Sequence, residues 1–324
     1  MAVRIAMAGD TMLGRGVAER LRRPGGRELF SAGVRKALAQ ADLVVLNLEC
    51  CVSERGSPWP DPEKRFWFRA PPSAATDLAE LGVNCVTLAN NHALDYGARA
   101  LLDTLDHLSR VGIRVVGAGT DVERARAART FEVNGLRLAV LGVTDHPAEY
   151  AAGASAPGVA HADLPEGVPD WLTDQIRRLR AECDVVLVTP HWGPNMVPSP
   201  LSYVRKAAAE LVEAGATVVA GHSAHVFHGV GGSVLFDLGD FVDDYATHPW
   251  LRNDRGLLFL ITLDRAGLDR IDAVPIALDY CHTRLADPQE YEWIRDRFAL
   301  ACAALGTTVT DEGDYLSIRC RDGA

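Results

Sequence analysis

Six residues of this chain could together hold a divalent cation, and five of them stand where a strand-like apolar run stops. Asp10 follows the run at 3–8, Glu49 follows 43–48, Asn91 follows 83–88, His191 follows 185–189 and His222 follows 217–220. His225 comes three residues after His222. Carboxylate, amide oxygen and imidazole in one set suit a borderline or hard cation such as Mn, Zn, Fe or Ca. Gly221-His222-Ser223-Ala224-His225 is the sharpest local signal. Two imidazoles three residues apart at a strand end can face one ion, and Gly221 lets the backbone come close. Each residue alone has a plainer explanation. Asp10 before Thr11 can cap a helix, Asn91 can hold a left-handed turn, Glu49 can be a buried ion-pair partner and His191 a satisfied core histidine. Turn and packing chemistry does not account for five strand ends at once.

The elements that must position these residues alternate along the first half of the chain. Apolar runs of strand length are followed by helix-like segments at 30–40, 73–81 and 98–111, with a short strand at 113–116. Continuous apolar strands are buried on both faces. A βαβα order predicts an α/β domain with a largely parallel sheet, whose functional loops lie at the carboxyl ends of the strands. Asn134-Gly135 between two apolar runs predicts a hairpin. Residues 144–169, rich in Ala, Gly and Pro, read as a long loop. Helices at 171–181 and 202–213 alternate with the strands that end at His191 and His222; further strands fall at 234–238, 257–263 and 271–276, and a helix at 290–304. With no repeat and no linker, the expectation is one body over 1–285 and a helical extension over 286–324 packed on it.

Composition narrows the function classes. The chain has 324 residues, 48% of them hydrophobic, and a formal net charge of −10. An acidic chain gains no bulk attraction for nucleic acid or an anionic membrane. No apolar run approaches the ~18 residues of a membrane-spanning helix. The apolar start before Gly9 is too short for a signal peptide. Seven cysteines, an odd number without a Cys-x-x-Cys pair, fit reduced thiols rather than a disulfide framework. These features predict a cytoplasmic protein with no nucleic-acid and no membrane partner.

The ordered blocks Gly9-Asp10-Thr11-Met12-Leu13-Gly14-Arg15, Asn47-Leu48-Glu49, Ala89-Asn90-Asn91-His92 with Asp95 and Gly97, His191-Trp192-Gly193, Gly221-His222-Ser223-Ala224-His225 and Leu238-Gly239-Asp240-Phe241 cover about residues 1–245. This set resembles the CapA-type proteins of poly-γ-glutamate capsule synthesis, a family similar to a branch of the calcineurin-like metallophosphoesterases. The resemblance implies a four-layer α-β-β-α sandwich of two mixed sheets with a metal site at one edge. It implies Asp10 and Glu49 as carboxylate ligands, Glu49 bridging. Asn91 and His191 would serve a second ion position, and His222 and His225 would complete the site. His92 would be the acid/base, with Asp95 one helical turn later orienting its ring.

Departures from the pattern matter. Two-metal phosphoesterases usually carry Asp-x-His where this chain has Asp10-Thr11-Met12, and thioether sulfur is a poor ligand for a hard ion. One or two ions per chain are therefore expected. Pro194-Asn195 stands where a Glu commonly follows His-Trp-Gly, and Asp240 replaces the usual Asn, adding a charge near the site. Family members of capsule systems are typically membrane-anchored, unlike the expectation here.

Arg69, Trp192, His228 and Asp240 are expected to contact substrate. Trp59, Phe66, Trp67 and Phe68, with Arg65 and Arg69, could form a peptide-binding wall. Asp145-His146 could be a dyad lining the pocket. Gly117-Ala118-Gly119 lacks the third glycine of a dinucleotide loop, and no Gly-x-Ser-x-Gly elbow exists. Three activities compete for a peptide or polyglutamate partner. The first is epimerisation of an α-carbon from L to D, which this reading favours. The second is hydrolysis of a phosphoester or amide, which normally uses two ions about 3.5–4 Å apart. The third is non-catalytic binding of an acidic polymer.

Overall fold

Neighbouring residues on the same strand belong to different cores, as expected where side chains alternate between the two faces of a sheet. In the strand Val3–Thr11, Ile5 and Met7 pack with Leu138, Val140 and Leu187, whereas Ala6 and Ala8 pack with Val17, Leu38 and Leu101. In Val185–His191, Val185 and Leu187 join the first of these clusters, whereas Val186 and Val188 join Leu172, Ile176 and Leu211. The computed structural model describes residues 2–23 and 28–321.

Two mixed sheets carry the α/β fold. The larger runs in the order Thr310–Asp311, Leu316–Arg319, Gly267–Asp279, Arg255–Asp264, Val3–Thr11, Leu43–Leu48, Cys85–Thr87, Arg114–Val116, with Asp240–Val242 also on Val3–Thr11 and His282–Leu285 on Gly267–Asp279. The smaller runs Val230–Gly231, Val234–Leu235, Val218–Ala220, Val185–His191, Leu136–Thr144, Arg129–Val133. The expected parallel order holds from Val3–Thr11 to Arg114–Val116, for Asp240–Val242 against the end of Val3–Thr11, and for the strands of the smaller sheet from Val234–Leu235 to Leu136–Thr144. Beyond Val3–Thr11 the pairing turns antiparallel, because Arg255–Asp264 and Gly267–Asp279 form a hairpin that closes on the other side of that strand.

The hairpin at Asn134-Gly135 is present, with φ of 50° and 74° at its two central residues. Helix Ser202–Glu213 has the expected bounds, and strand Leu43–Leu48 does too. The long segment 144–169 holds a single 3-10 turn, Ala148–Tyr150, and a two-residue strand, Gly158–Val159. After 285 comes the helix Pro288–Ala303, opened by an Asp287–Glu290 capping box. Its Ile294, Phe298 and Cys302 enter the inter-sheet cluster. Two strands follow it, so the tail is not helical throughout: Leu316–Arg319 pairs with Gly267–Asp279, and the edge strand Thr310–Asp311 is short and exposed and carries no apolar signal.

Candidate metal centre

Four strands deliver the centre. Gly9 interrupts the register between Val3–Thr11 and Leu43–Leu48. A Cβ there would fall 1.7 Å from the Gly239 carbonyl oxygen, so only glycine lets Asp240–Val242 approach. The Asp10 amide donates to that carbonyl at 2.9 Å, and Asp10 pairs with Asp240 in parallel register. Leu43–Leu48 ends at Glu49. From the smaller sheet, His191 and His222 form a parallel bridge at the ends of adjacent strands. His225 sits in the following loop at φ +59°, next to Ser223 at +122°. Positive φ at non-glycine residues costs about 1–3 kcal/mol each and persists where surrounding structure enforces it. Here Asp237 holds the loop through the Ala224 and Gly239 amides, both at 2.8 Å, and Ser223 Oγ donates to the Gly193 carbonyl at 2.7 Å.

Two triads result. Asp10, His191 and His222 form one, and Asp10, Glu49 and His225 the other, each with ligand atoms all within 4.8 Å of one another. Asp10 is common to both, the place that the resemblance gave to Glu49. His191 Nδ1 and His222 Nδ1 are 2.7 Å apart, and His222 Nε2 meets Thr189 Oγ1 at 2.8 Å. Asn47 Nδ2 donates to Asp10 Oδ1 at 2.6 Å. Asp10 Oδ2, Glu49 Oε1, Asn91 Oδ1, His191 Nε2 and Asp240 Oδ2 are buried without a hydrogen-bond partner. Asp10 Oδ2 does lie 3.2 Å from His225 Nδ1, but that nitrogen is aligned instead on Asp240 Oδ1 at 2.8 Å.

The electrostatics match a cation site. Burial pushes the Glu49 carboxyl well above its ordinary range, and the Asp10 charge adds to this. Burial likewise raises Asp240 and lowers His222 to about 4. Burial disfavours charge on His225 too, but Asp240 and Glu49 outweigh it and hold a proton there. Buried carboxylates and imidazoles with free lone pairs are costly unless a cation or proton joins them. The donor set therefore fits a divalent ion. Met12 is fully buried, and its sulfur accepts the Gly14 amide at 3.0 Å. It takes no part in either triad.

The profile of the family described as bacterial capsule synthesis protein PGA_cap matches residues 4–245. The chain belongs to that family. The PGA biosynthesis protein CapA of Bacillus subtilis is 29% identical over 84% of this chain and 70% of its own. The capsule biosynthesis protein CapA of Bacillus anthracis is 31% identical over 84% and 66%. A Mycobacterium tuberculosis protein, named as a probable polyglutamine synthesis accessory protein, is 28% identical over 97% and 95%.

This PGA_cap chain places its remaining site residues unequally. His92 Nδ1 lies 2.7 Å from Asp95 Oδ2, and the ring stacks on Phe68 at 4.0 Å. Asp95 is fully buried and also takes Lys64 Nζ at 2.9 Å and Tyr150 Oη at 3.3 Å. Asp240 is in the site, against His225. Arg69 is half-buried and lies over the Tyr96 ring at 4.0 Å. Trp192 is buried in the core and donates Nε1 to the Phe236 carbonyl at 2.9 Å. His228 is buried as well, with Nε2 donating to the Val197 carbonyl at 2.9 Å. The aromatic wall is only partly exposed: Phe66 faces solvent, whereas Phe68 is buried beneath it.

Residues without a sequence assignment complete the site. Tyr245 Oη donates to Glu49 Oε2 at 3.3 Å, and its ring meets His225 edge-on at 5.3 Å. Asn90 Nδ2 donates to Asn47 Oδ1 at 2.9 Å, which fixes the amide that holds Asp10. Asn47 and Asn90 are polar residues at the ends of apolar runs, and that polarity was the available signal. Tyr245 had none. The Asp145–His146 pair is anchored rather than free. His146 Nδ1 bonds Asp145 Oδ1, while Asp145 Oδ2 accepts from Tyr203 Oη at 2.9 Å and the Gly193 amide at 3.1 Å. The His146 ring lies 5.2 Å from the His191 ring.

Met12→His offers a direct probe of the sulfur's position. Its sulfur faces a backbone amide inside the core, so the imidazole is expected to lower thermal stability by a few kcal/mol through shape mismatch and polar burial without adding a bound ion. Melting temperature and metal-to-protein ratio together check this; a stable variant with an additional ion would put position 12 at the centre.

Proposed function

We propose that the chain is a metal-dependent enzyme that acts on a peptide or polyglutamate chain and epimerises an amino-acid α-carbon from L to D. One observation carries the choice of reaction. Two histidines, each oriented by a carboxylate on Nδ1, reach the centre through different neighbours. His92 with Asp95 is linked through Phe68 and Tyr245 to His225, and His146 with Asp145 lies against His191. Epimerisation removes a proton from one face of a carbon and returns one to the other. With Nδ1–H on a carboxylate, each ring keeps Nε2 as the atom that can take up or deliver a proton.

Asp10, Glu49, Asn91, His191, His222 and His225 would hold the ion, with Asp240 orienting His225. When bound, a divalent ion would supply Lewis-acid stabilisation of negative charge on a substrate carbonyl or carboxylate oxygen. We read the three hydrophobic clusters as the interfaces of a four-layer α-β-β-α sandwich of the metallophosphatase kind, with 1–285 as the main body and 286–324 packed on it. The names of the relatives support a glutamate-chain context. No helix among the described residues is long and apolar enough to cross a membrane.

A second reading has its own support. Two triads sharing one carboxylate are what a pair of ions needs, and paired ions serve hydrolysis. Incubation with candidate glutamate peptides in D₂O separates the two. Epimerisation leaves chain length unchanged, places deuterium on one α-carbon and yields the D-residue on chiral analysis. A shortened chain or released phosphate without deuterium rules for the hydrolase.

A further inference from the structure

The two sheets each end in an open edge strand on the same side of the molecule. Arg114–Val116 closes the larger sheet and Arg129–Val133 the smaller. A groove of about 710 Å³ runs between and beside them. Its lining includes Arg114, Arg124 and Arg129 with the hydroxyls of Ser109 and Thr130; the one carboxylate bordering it, Asp121, is engaged by Thr120 Oγ1 and the Arg124 amide, both at 2.9 Å. In a chain of net charge −10, such a lining is a local reversal of sign.

Two of the guanidinium groups, those of Arg114 and Arg129, are fixed in place across the gap. Arg114, on the edge of the larger sheet, donates Nη1 to the Thr130 carbonyl of the smaller and lies over the Phe131 ring at 4.6 Å. Arg129, on the smaller sheet, donates Nε to the Val115 carbonyl of the larger at 3.1 Å. Each uses one of its five N–H donors in this reciprocal clamp, and the others remain to bind a ligand. Arg124 joins them from the helix Val122–Arg126. That helix presses onto strand Ala118–Gly119 because Gly119 has no side chain; a Cβ there would meet the Ala125 amide nitrogen at 2.4 Å. The Gly117-Ala118-Gly119 motif thus serves a close approach rather than a dinucleotide.

We infer that this groove binds a carboxylate-bearing chain at a second site, apart from the metal centre. Planar guanidinium groups held in position match carboxylates in bidentate fashion with little ordering cost. A short run of three cations suits spaced carboxylates. Arg114–Val116 runs parallel to the strands that end at Asp10 and Glu49. The Thr120 end of the groove therefore lies at the same edge of the sheet as the ligands, and one extended chain could occupy both. The inference rests on the proposed function only in taking that chain as the substrate.

Binding of a fluorescent glutamate oligomer to the full chain, followed by anisotropy, tests it without turnover. Binding is expected to persist in chelator, to weaken with salt, and to fall about tenfold or more in Arg124→Glu combined with Arg129→Glu. Arg124→Glu alone, an exposed change, should weaken it in the same direction with melting temperature and metal content unaltered. The groove assignment is overturned by wild-type affinity in these variants, by loss of binding on chelation, or by tighter binding of a single-stranded oligonucleotide. Arginine-dependent binding without deuterium exchange would retain the groove and remove the epimerase instead.

Discussion

Asp10→Ala loses metal and turnover together, the largest effect expected from any single substitution in this chain. Asp10 is the one carboxylate in both triads, so its removal breaks either ion position, whereas loss of His191 or Glu49 breaks one. The bound ion stabilises the native state by mass action, about 2.7 kcal/mol when its free concentration is a hundred times Kd. Chelator should therefore lower the melting temperature of the wild type and leave that of Asp10→Ala unmoved. Glu49→Gln refines the point through its sign. Burial and the Asp10 charge raise the Glu49 pKa in the folded, metal-free protein. A raised carboxyl contributes stability that is complete below its ordinary value of 4.5 and is lost as pH rises through the folded pKa. In chelator near neutral pH, Glu49→Gln should match or exceed wild-type stability, and the margin should grow as pH rises above about 4.5. With metal present the order reverses, because only the wild type keeps the ligand. Metal analysis and melting curves with and without chelator check both statements. A metal-replete Asp10→Ala protein would end the assignment of the centre.

The ligand-bearing strand ends were legible because each follows an unbroken apolar run, and a run buried on both faces must end where the chain reaches the sheet's edge. Asp10, Glu49, His191 and His222 all sit at such ends. Less legible were contacts made by short or irregular segments. Asp240–Val242 has three residues, too few for a periodic pattern, yet its pairing with Val3–Thr11 brings Asp240 onto His225. Trp192 misled for a physical reason. A tryptophan beside a ligand histidine suggests a substrate wall, but the residue opposite it is Gly221. A Cβ at 221 would meet Trp192 Nε1 at 2.3 Å. The glycine makes room for the indole inside the core rather than for an ion. Nothing local to Asp145-His146 showed how the pair is held, because Tyr203 and Gly193, which anchor Asp145, lie some fifty residues away in sequence. The tail strand Leu316–Arg319 is short, and its two core residues, Leu316 and Ile318, are too few to reveal a strand pattern.

His92→Ala is expected to keep its metal and lose about 10²-fold or more in rate, on the order of 2.7 kcal/mol of transition-state stabilisation. The retained metal follows from the geometry: the ring bonds Asp95 and stacks on Phe68, and it belongs to neither triad. Burial holds the His92 pKa below its ordinary value of 6.5, while Asp95 opposes that shift. The neutral ring, able to accept a proton at Nε2, thus persists into mildly acidic solution. Asp95→Asn removes the charge that raises the pKa. The acid limb of the pH–rate profile should then move lower still, while the plateau falls because the Nδ1 partner that sets the tautomer is weaker. A variant that lost only packing would drop the plateau without moving the limb. If His92→Ala turns over like wild type, the proton is handled elsewhere, and His146 is the group to test next. If Asp95→Asn lowers the rate with an unmoved limb, Asp95 serves through its bonds to Lys64 and Tyr150 rather than through His92.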